Sequence, residues 1–251
     1  MMVVMNMART ARAKSESNIY HVMLRGINRQ QIFLDDEDSR HFLEVLRQCR
    51  MISNFHLYAY CLMGNHVHLL IHTGEEPLDL VMKRIGTRYV VWYNSKHERV
   101  GHLFQDRYKS EPVDNDAYFF TVLRYILNNP VKAGLCDRLT EYPLSSAQDY
   151  FKGAGLTDTS FAEEIMGRSS LLNFLSSSCE DSCMDETSAR LSDRRARELI
   201  LGIVGLSDEA HCIQAVNEQP EQYVSSLRSA GLSIRQICRL TGLPFGIIRK
   251  Y

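Results

Sequence analysis

Residues 18 to about 151 switch their apolar spacing repeatedly between a period of two and a period near 3.6, and this mixture constrains the fold class more tightly than any other property of the chain. A strand buries alternate positions and a helix buries one stripe, so the two patterns interleaved at short range mean helices packed on a sheet. Positions 19–25 read as a strand. Asp35 and Asp36 can cap a helix in which Phe42, Leu46 and Cys49 share a face, with Asn54 near its end. Positions 55–62 and 67–72 are β-rich runs split by Met63-Gly64-Asn65, which predicts an antiparallel hairpin. Leu78, Met82, Ile85, Tyr89 and Trp92 recur at helical spacing, with Lys83, Arg84 and Arg88 on the flank. A fourth extended segment falls near 103–113. Asp114, Asn115 and Asp116 offer caps to a helix over about 117–129, which Pro130 is expected to stop. The order β-α-β-β-α-β-α predicts an α+β fold, a ferredoxin-like antiparallel sheet with helices on one face.

Around that domain, placed at 17–152, the composition changes. Residues 1–16 read as a flexible basic arm carrying Arg9, Arg12 and Lys14. Lys152-Gly153-Ala154-Gly155 breaks the regularity and a Ser-rich, acidic run follows, so 153–185 reads as a connecting region with a short helix near 170–175. The remainder, 186–251, is helical in pattern, and 228–251 holds five basic residues and no acid. There Ile234, Ile237 and Leu240 form one face, Gly242 marks a turn, and Ile247 and Ile248 fall in a second helix near 244–250. This predicts an all-α domain ending in a helix-turn-helix that binds duplex DNA, with Arg235, Arg239, Arg249 and Lys250 as contacts, the last two to phosphate rather than bases. An accessory helical domain for protein contacts is the alternative.

Twenty-nine Lys and Arg against thirty Asp and Glu leave no global positive field, so any nucleic-acid contact must come from local patches. Seven scattered cysteines, an odd number, suit free thiols in a reducing compartment better than a bridge framework. The N-terminus places its apolar run before its charges, the reverse of a secretory signal, and no run of about 18 apolar residues exists. A cytoplasmic, nucleoid-associated protein with no membrane partner is the expectation.

The chemistry concentrates in two places. Gly64-Asn65-His66-Val67-His68 sets two imidazoles two positions apart on a strand, so His66 and His68 share a face and make half of a divalent-metal site, whereas His72 lies too far along the strand to complete it. About sixty residues later, Tyr125 and Asn129 stand at i and i+4 of a helix, where a phenol and an amide address one point. Imidazoles plus a neutral oxygen, with positions open to phosphate, suit Mg²⁺ or Mn²⁺. A tyrosine on a helix face alone belongs to a core more often than to a site, and a lone His-x-His is as often surface decoration. The combination favours a site.

These segments, together with Tyr20-His21-Val22-Met23-Leu24-Arg25-Gly26 and Leu103-Phe104-Gln105-Asp106-Arg107-Tyr108, resemble the single-tyrosine HUH transposases, and among them the REP-associated tyrosine transposases, over about 17–150. The resemblance implies that Tyr125 attacks a phosphodiester in single-stranded DNA beside hairpin-forming, palindromic repeats and leaves a 5′-phosphotyrosine, with His66 and His68 as metal ligands. Asn129 stands where many relatives present Gln as the third ligand, one methylene longer. Tyr108, between Arg107 and Lys109, is the competing nucleophile. A phenol with an ordinary pKa near 10 needs a neighbouring cation, and a bound metal or Arg124 is a candidate source. Single-stranded substrate calls for a cationic track, for which Lys83, Arg84, Arg88, Arg107 and Lys109 are candidates; Tyr89, Trp92 and Tyr93 could stack bases, although their spacing suits a core better. The N-terminal arm could read sequence near the hairpin. The protein would act as a monomer or homodimer. A non-catalytic DNA-binding regulator built on the same fold is the alternative.

Overall fold

The computed structural model describes residues 12–153, 155–177, 183, 193–206, 208–230, 232 and 234–250. The chain divides into two compact units, Met1–Cys183 and Met184–Tyr251. In the first, strands β1 (Ile19–Arg25), β2 (His56–Met63), β3 (His66–His72) and β4 (Lys109–Pro112) form one antiparallel sheet in the order β2-β3-β1-β4, the ferredoxin-like arrangement. Helices α1 (Asp36–Ser53) and α2 (Leu78–Lys96) make the connections that this order requires.

Alternation sorts the strand residues into two layers. Val22, Leu24, Leu57, Leu62, Val67, Leu69 and Ile71 pack with Phe42, Val45 and Leu46 of α1 and with Val81, Ile85 and Tyr89 of α2. The other face carries Ile19, Ala59, Cys61, Met63 and Leu70, and is covered by α3 (Asp116–Lys132) with α4 (Ala147–Lys152), α5 (Ser160–Met166) and α6 (Arg168–Ser176). Helices therefore lie on both faces rather than one. A register shift between Leu57 and Ala59 on β2 puts Tyr58 on the α3 side without disturbing the rest of the alternation.

Local signals account for the helix ends. Asp35 caps α1 in a reciprocal box with Asp38, and Asn54 ends it in the left-handed region at φ 49°. Asn115 caps α3 by accepting from the Tyr118 N–H. Asp114 instead gathers the Ser15 hydroxyl and the Glu16 and Ser17 amides. Pro130 does not stop α3: it lies inside the last turn, buried, where its missing N–H forfeits one ladder bond and α3 continues to Lys132. The segment read as a connection, 153–185, contains α5 and α6, whose Ala162, Leu171 and Leu175 are fully buried in the layer on α3. Of the N-terminal arm, Arg9 lies outside the described residues, while Arg12 is held against Tyr108 rather than left loose.

The second unit contains α7 (Asp193–Val204), α8 (Glu209–Glu218), α9 (Pro220–Ser229), α10 (Ile234–Thr241) and α11 (Phe245–Ile248) around Ile200, Val216, Leu227, Ile237 and Ile248. Gly242, at φ 78°, turns the chain between α10 and α11. The second helix expected near 244–250 is a single turn, because Pro244 sits outside it as the cap. Among the described residues no single helix is long and apolar enough to cross a membrane.

Asp38 ties the N-terminus of α1 to the C-terminus of α2. Its fully buried carboxylate accepts from the Leu34 N–H at 2.7 Å and from Lys96 and His97 at 2.9 Å each. Burial alone would push this carboxyl up, but the bonds from His97, Leu34 and Lys96 outweigh it and hold it below the ordinary carboxylate range. A depressed folded value contributes stability that is present above the unfolded value and lost as pH falls through the folded one. Urea unfolding midpoints of the first unit should therefore drop as pH is lowered from about 5 to below about 3, and Asp38→Asn should lower the neutral-pH midpoint and flatten that dependence.

Candidate active site

The sheet face under α3 should be wholly apolar, yet it carries a row of polar side chains. His66 and His68 project from β3, and antiparallel pairing sets Arg25 of β1 opposite His66 and Met23 opposite His68. On the far side of β1, Lys109 of β4 pairs with Met23, and Glu111 pairs with His21. Directly paired residues share a face, so His21, Arg25, His66, His68, Lys109 and Glu111 all belong to this layer. Lys109 stands two strand spacings from His68, about 10 Å. His21 and His68 are fully buried, and the two rings share a hydrogen bond of 2.9 Å between His21 Nε2 and His68 Nδ1.

Helix α3 brings the phenol to them. The Tyr125 ring lies 5.7 Å from His68 and 5.9 Å from His21, centroid to centroid and edge-on to both, while His66 and His68 are 5.0 Å apart. Lys132, two turns further along α3, places its ammonium 5.3 Å from the centre of the Tyr125 ring. Arg124 lies over the Phe174 ring and donates to the Ser177 hydroxyl. Asn129 is partly exposed, one turn from Tyr125. Its neighbour Asn128 is the structural amide, donating to the Arg124 and Leu175 carbonyls and so tying α3 to α6. Tyr125 itself is only 3% exposed, sealed between α3 and the sheet.

The hairpin turn determines how His66 presents itself. The Asn65 amide donates to the Arg29 carbonyl, which turns its oxygen toward His66 Nδ1 at 2.6 Å. That oxygen only accepts, so Nδ1 carries the proton and Nε2 is the lone-pair nitrogen of the neutral ring. Gly26 holds this turn by donating its N–H to the Asn65 carbonyl, and it passes so close to the Gln30 carbonyl that no side chain fits there. Two imidazoles with a nearby amide suit a divalent cation, although no group of three or more His, Cys, Asp or Glu among the described residues is arranged to hold one.

The proposed track divides. Helix α2 lies on the opposite layer from the imidazoles, and Lys83, Arg84 and Arg88 go with it. Arg84 pairs with Glu76, and Arg88 donates to Gln48. Tyr89 and Tyr93 are buried core residues and Trp92 stacks on His41 at 3.9 Å, so these aromatics pack rather than stack bases. Arg107 and Lys109 are exposed near the edge strand. Tyr108 packs against the α1–α2 layer under the Arg12 guanidinium, and burial raises its pKa despite Arg12 and Arg107. In the second unit Arg239, Arg249 and Lys250 are exposed, while the side chain of Arg235 lies outside the described residues. His21, Arg25, Glu111 and Lys132 were not singled out by sequence. The first two share an alternation with Met23 that was legible, but only strand register shows which face meets the imidazoles.

The family model for IS200-like transposases matches residues 14–129. Among solved structures, a REP-associated tyrosine transposase bound to a REP hairpin is 18% identical, aligns over 61% of this chain and 94% of its own, and has a TM-score of 0.49. A putative transposase from Deinococcus radiodurans R1 is 21% identical over 48% of this chain and 97% of its own, with a TM-score of 0.35. No curated protein matches significantly. The family match spans all four strands and runs along α3 as far as Asn129, so over these residues the first unit is similar to the IS200-like transposases.

Proposed function

We propose that this protein is a transposase of the REP-associated tyrosine type that cleaves and rejoins single-stranded DNA beside hairpin-forming repeats, with Tyr125 as nucleophile. The observation that carries this reading is the 5.7 Å approach of the Tyr125 ring to His68 across the gap between α3 and the sheet. The phenolic oxygen attacks the scissile phosphorus, the bond to the 3′-oxygen breaks, and the departing strand leaves as a 3′-hydroxyl while its neighbour stays as a 5′-phosphotyrosyl ester. Attack by another 3′-hydroxyl reverses the step and returns the phenol, so the phosphodiester is conserved without an added energy source.

Lys132 beside the ring favours the phenolate, and Arg25 and Lys109 on the same sheet face neutralise phosphates of the strand. His66 and His68, with Asn129 as an oxygen donor, would hold Mg²⁺ or Mn²⁺, which when bound supplies positive charge to the scissile phosphate. Tyr125 is 3% exposed, so strand entry requires the layer around its ring to open. The α10–α11 pair, with Arg239, Arg249 and Lys250 exposed, would add duplex DNA contacts. The same burial of Tyr125 favours a second reading, a DNA-binding regulator that keeps the fold and no longer cuts.

A single-stranded hairpin oligonucleotide incubated with the protein and Mn²⁺ distinguishes these readings on a denaturing gel. Cleavage predicts a covalent adduct that survives in Tyr108→Phe and disappears in Tyr125→Phe, whereas the regulator binds the oligonucleotide and gives no adduct. In binding titrations across salt concentration, Arg25→Ala and Lys109→Ala should each weaken single-strand binding and reduce the slope of log K against log salt by about 0.7. Lys83→Ala and Arg88→Ala, on the far layer, should leave that slope unchanged.

A further inference from the structure

Between α3 and the segments that follow it lies a pocket of about 550 Å³ that the proposed chemistry does not use. Residues 128, 131 and 132 of α3 form one wall, 137–140 and Phe151 of α4 face them, and the end of α6 closes a third side at Ser176 and Ser177. Its volume falls in the range of sites that enclose a small ring ligand. Val131, Leu139 and Phe151 make the enclosure largely apolar, and Phe151 is half-buried, packed on the layer under α3. Of the lining residues Asn128 alone falls within the 14–129 segment that matches the transposase model, so this pocket is built by the part of the chain beyond that match.

One polar group at the pocket is defined by its neighbours. Asn128 is buried, and its amide nitrogen donates to both the Arg124 and the Leu175 carbonyls. A primary amide has two donor hydrogens and one acceptor oxygen, so the capacity it retains is at Oδ1. That oxygen has no donor among the described residues and is not sealed from open space, so it faces the pocket that Asn128 lines. Thr140, half-buried in the facing wall, adds a hydroxyl able to donate or accept.

The position of the pocket indicates what enters it. Asn128 stands one turn past Tyr125 on α3, about 5–6 Å along the helix surface. Lys132 both lines the pocket and holds its ammonium 5.3 Å from the centre of the Tyr125 ring. A single strand brought to that phenol carries unpaired bases to the pocket. An unpaired base is a flat ring whose edge bears N–H groups, which matches apolar walls around a buried acceptor. We propose that this pocket receives one unpaired base of the strand at Tyr125 and reads its edge through Asn128 Oδ1 and the Thr140 hydroxyl, with the Phe151 ring against its face. The proposal rests on the reading of this protein as a transposase that cuts single-stranded DNA.

Fluorescence anisotropy of the full chain tests it, using a labelled hairpin oligonucleotide with a single-stranded flank along which one abasic nucleotide is moved. At one position the abasic change should weaken binding by about 5- to 150-fold, the range for losing one stacked base. Phe151→Ala, shown to be folded by its thermal melt, should weaken binding of the intact oligonucleotide, and the abasic change should then cost little more. Thr140→Val should narrow the differences among the four bases at that position and leave binding of the abasic oligonucleotide unchanged. If Phe151→Ala does not fold, Thr140→Val decides. A sensitive position whose full penalty persists in folded Phe151→Ala overturns the proposal, because the base is then read elsewhere. A scan with no sensitive position also overturns it, and if the Tyr125-dependent adduct still forms, the transposase reading stands without the pocket. No binding of the oligonucleotide at all removes both.

Discussion

Two imidazoles taken wholly out of water, His21 and His68, share one 2.9 Å hydrogen bond across adjacent strands. An unpartnered polar group in such a place costs on the order of 2–7 kcal/mol. The bond between them ties strand register to ring orientation: a slip of one residue in β1 against β3 would turn His21 to the opposite layer and strand His68. Everything else about the site is arranged around that pair. Helix α3 closes the layer above it, Asn65 and Gly26 hold His66 beside it, and Lys132 lies over the phenol that α3 delivers.

The two faces of the sheet divide the labour. One packs its apolar residues on α1 and α2, with Asp38 fastening the ends of those helices. The other mixes apolar residues with His21, Arg25, His66 and His68, and is covered by α3 with α4, α5 and α6, Asn128 tying α3 to α6.

Strand β1 was legible to the residue and the hairpin to within one residue at each strand end, because alternation and the Gly64-Asn65 turn are local signals. The α1 cap was legible for the same reason. What escaped depends on distant residues. Pro130 stays helical because it is buried late in α3, and α5 and α6 form because Ala162, Leu171 and Leu175 find a layer to pack on. At the site, His66 and His68 stand out as a pair from spacing on one strand, whereas Tyr125 was singled out only together with that pair and the family resemblance. Glu111 and His21 become neighbours only through the β1–β4 register, and Lys83, Arg84 and Arg88 looked like a track because nothing in their own helix says which face of the sheet it will cover.

The central claim is that the imidazoles of β3 and the phenol of α3 address one cation-sized gap. Paramagnetic broadening by Mn²⁺ in protein labelled with ¹³C-tyrosine tests it most directly. Substoichiometric Mn²⁺ should erase the Tyr125 ring signals, and His66→Ala combined with His68→Ala should restore them. A sharp Tyr125 resonance in protein saturated with Mn²⁺ would contradict the account.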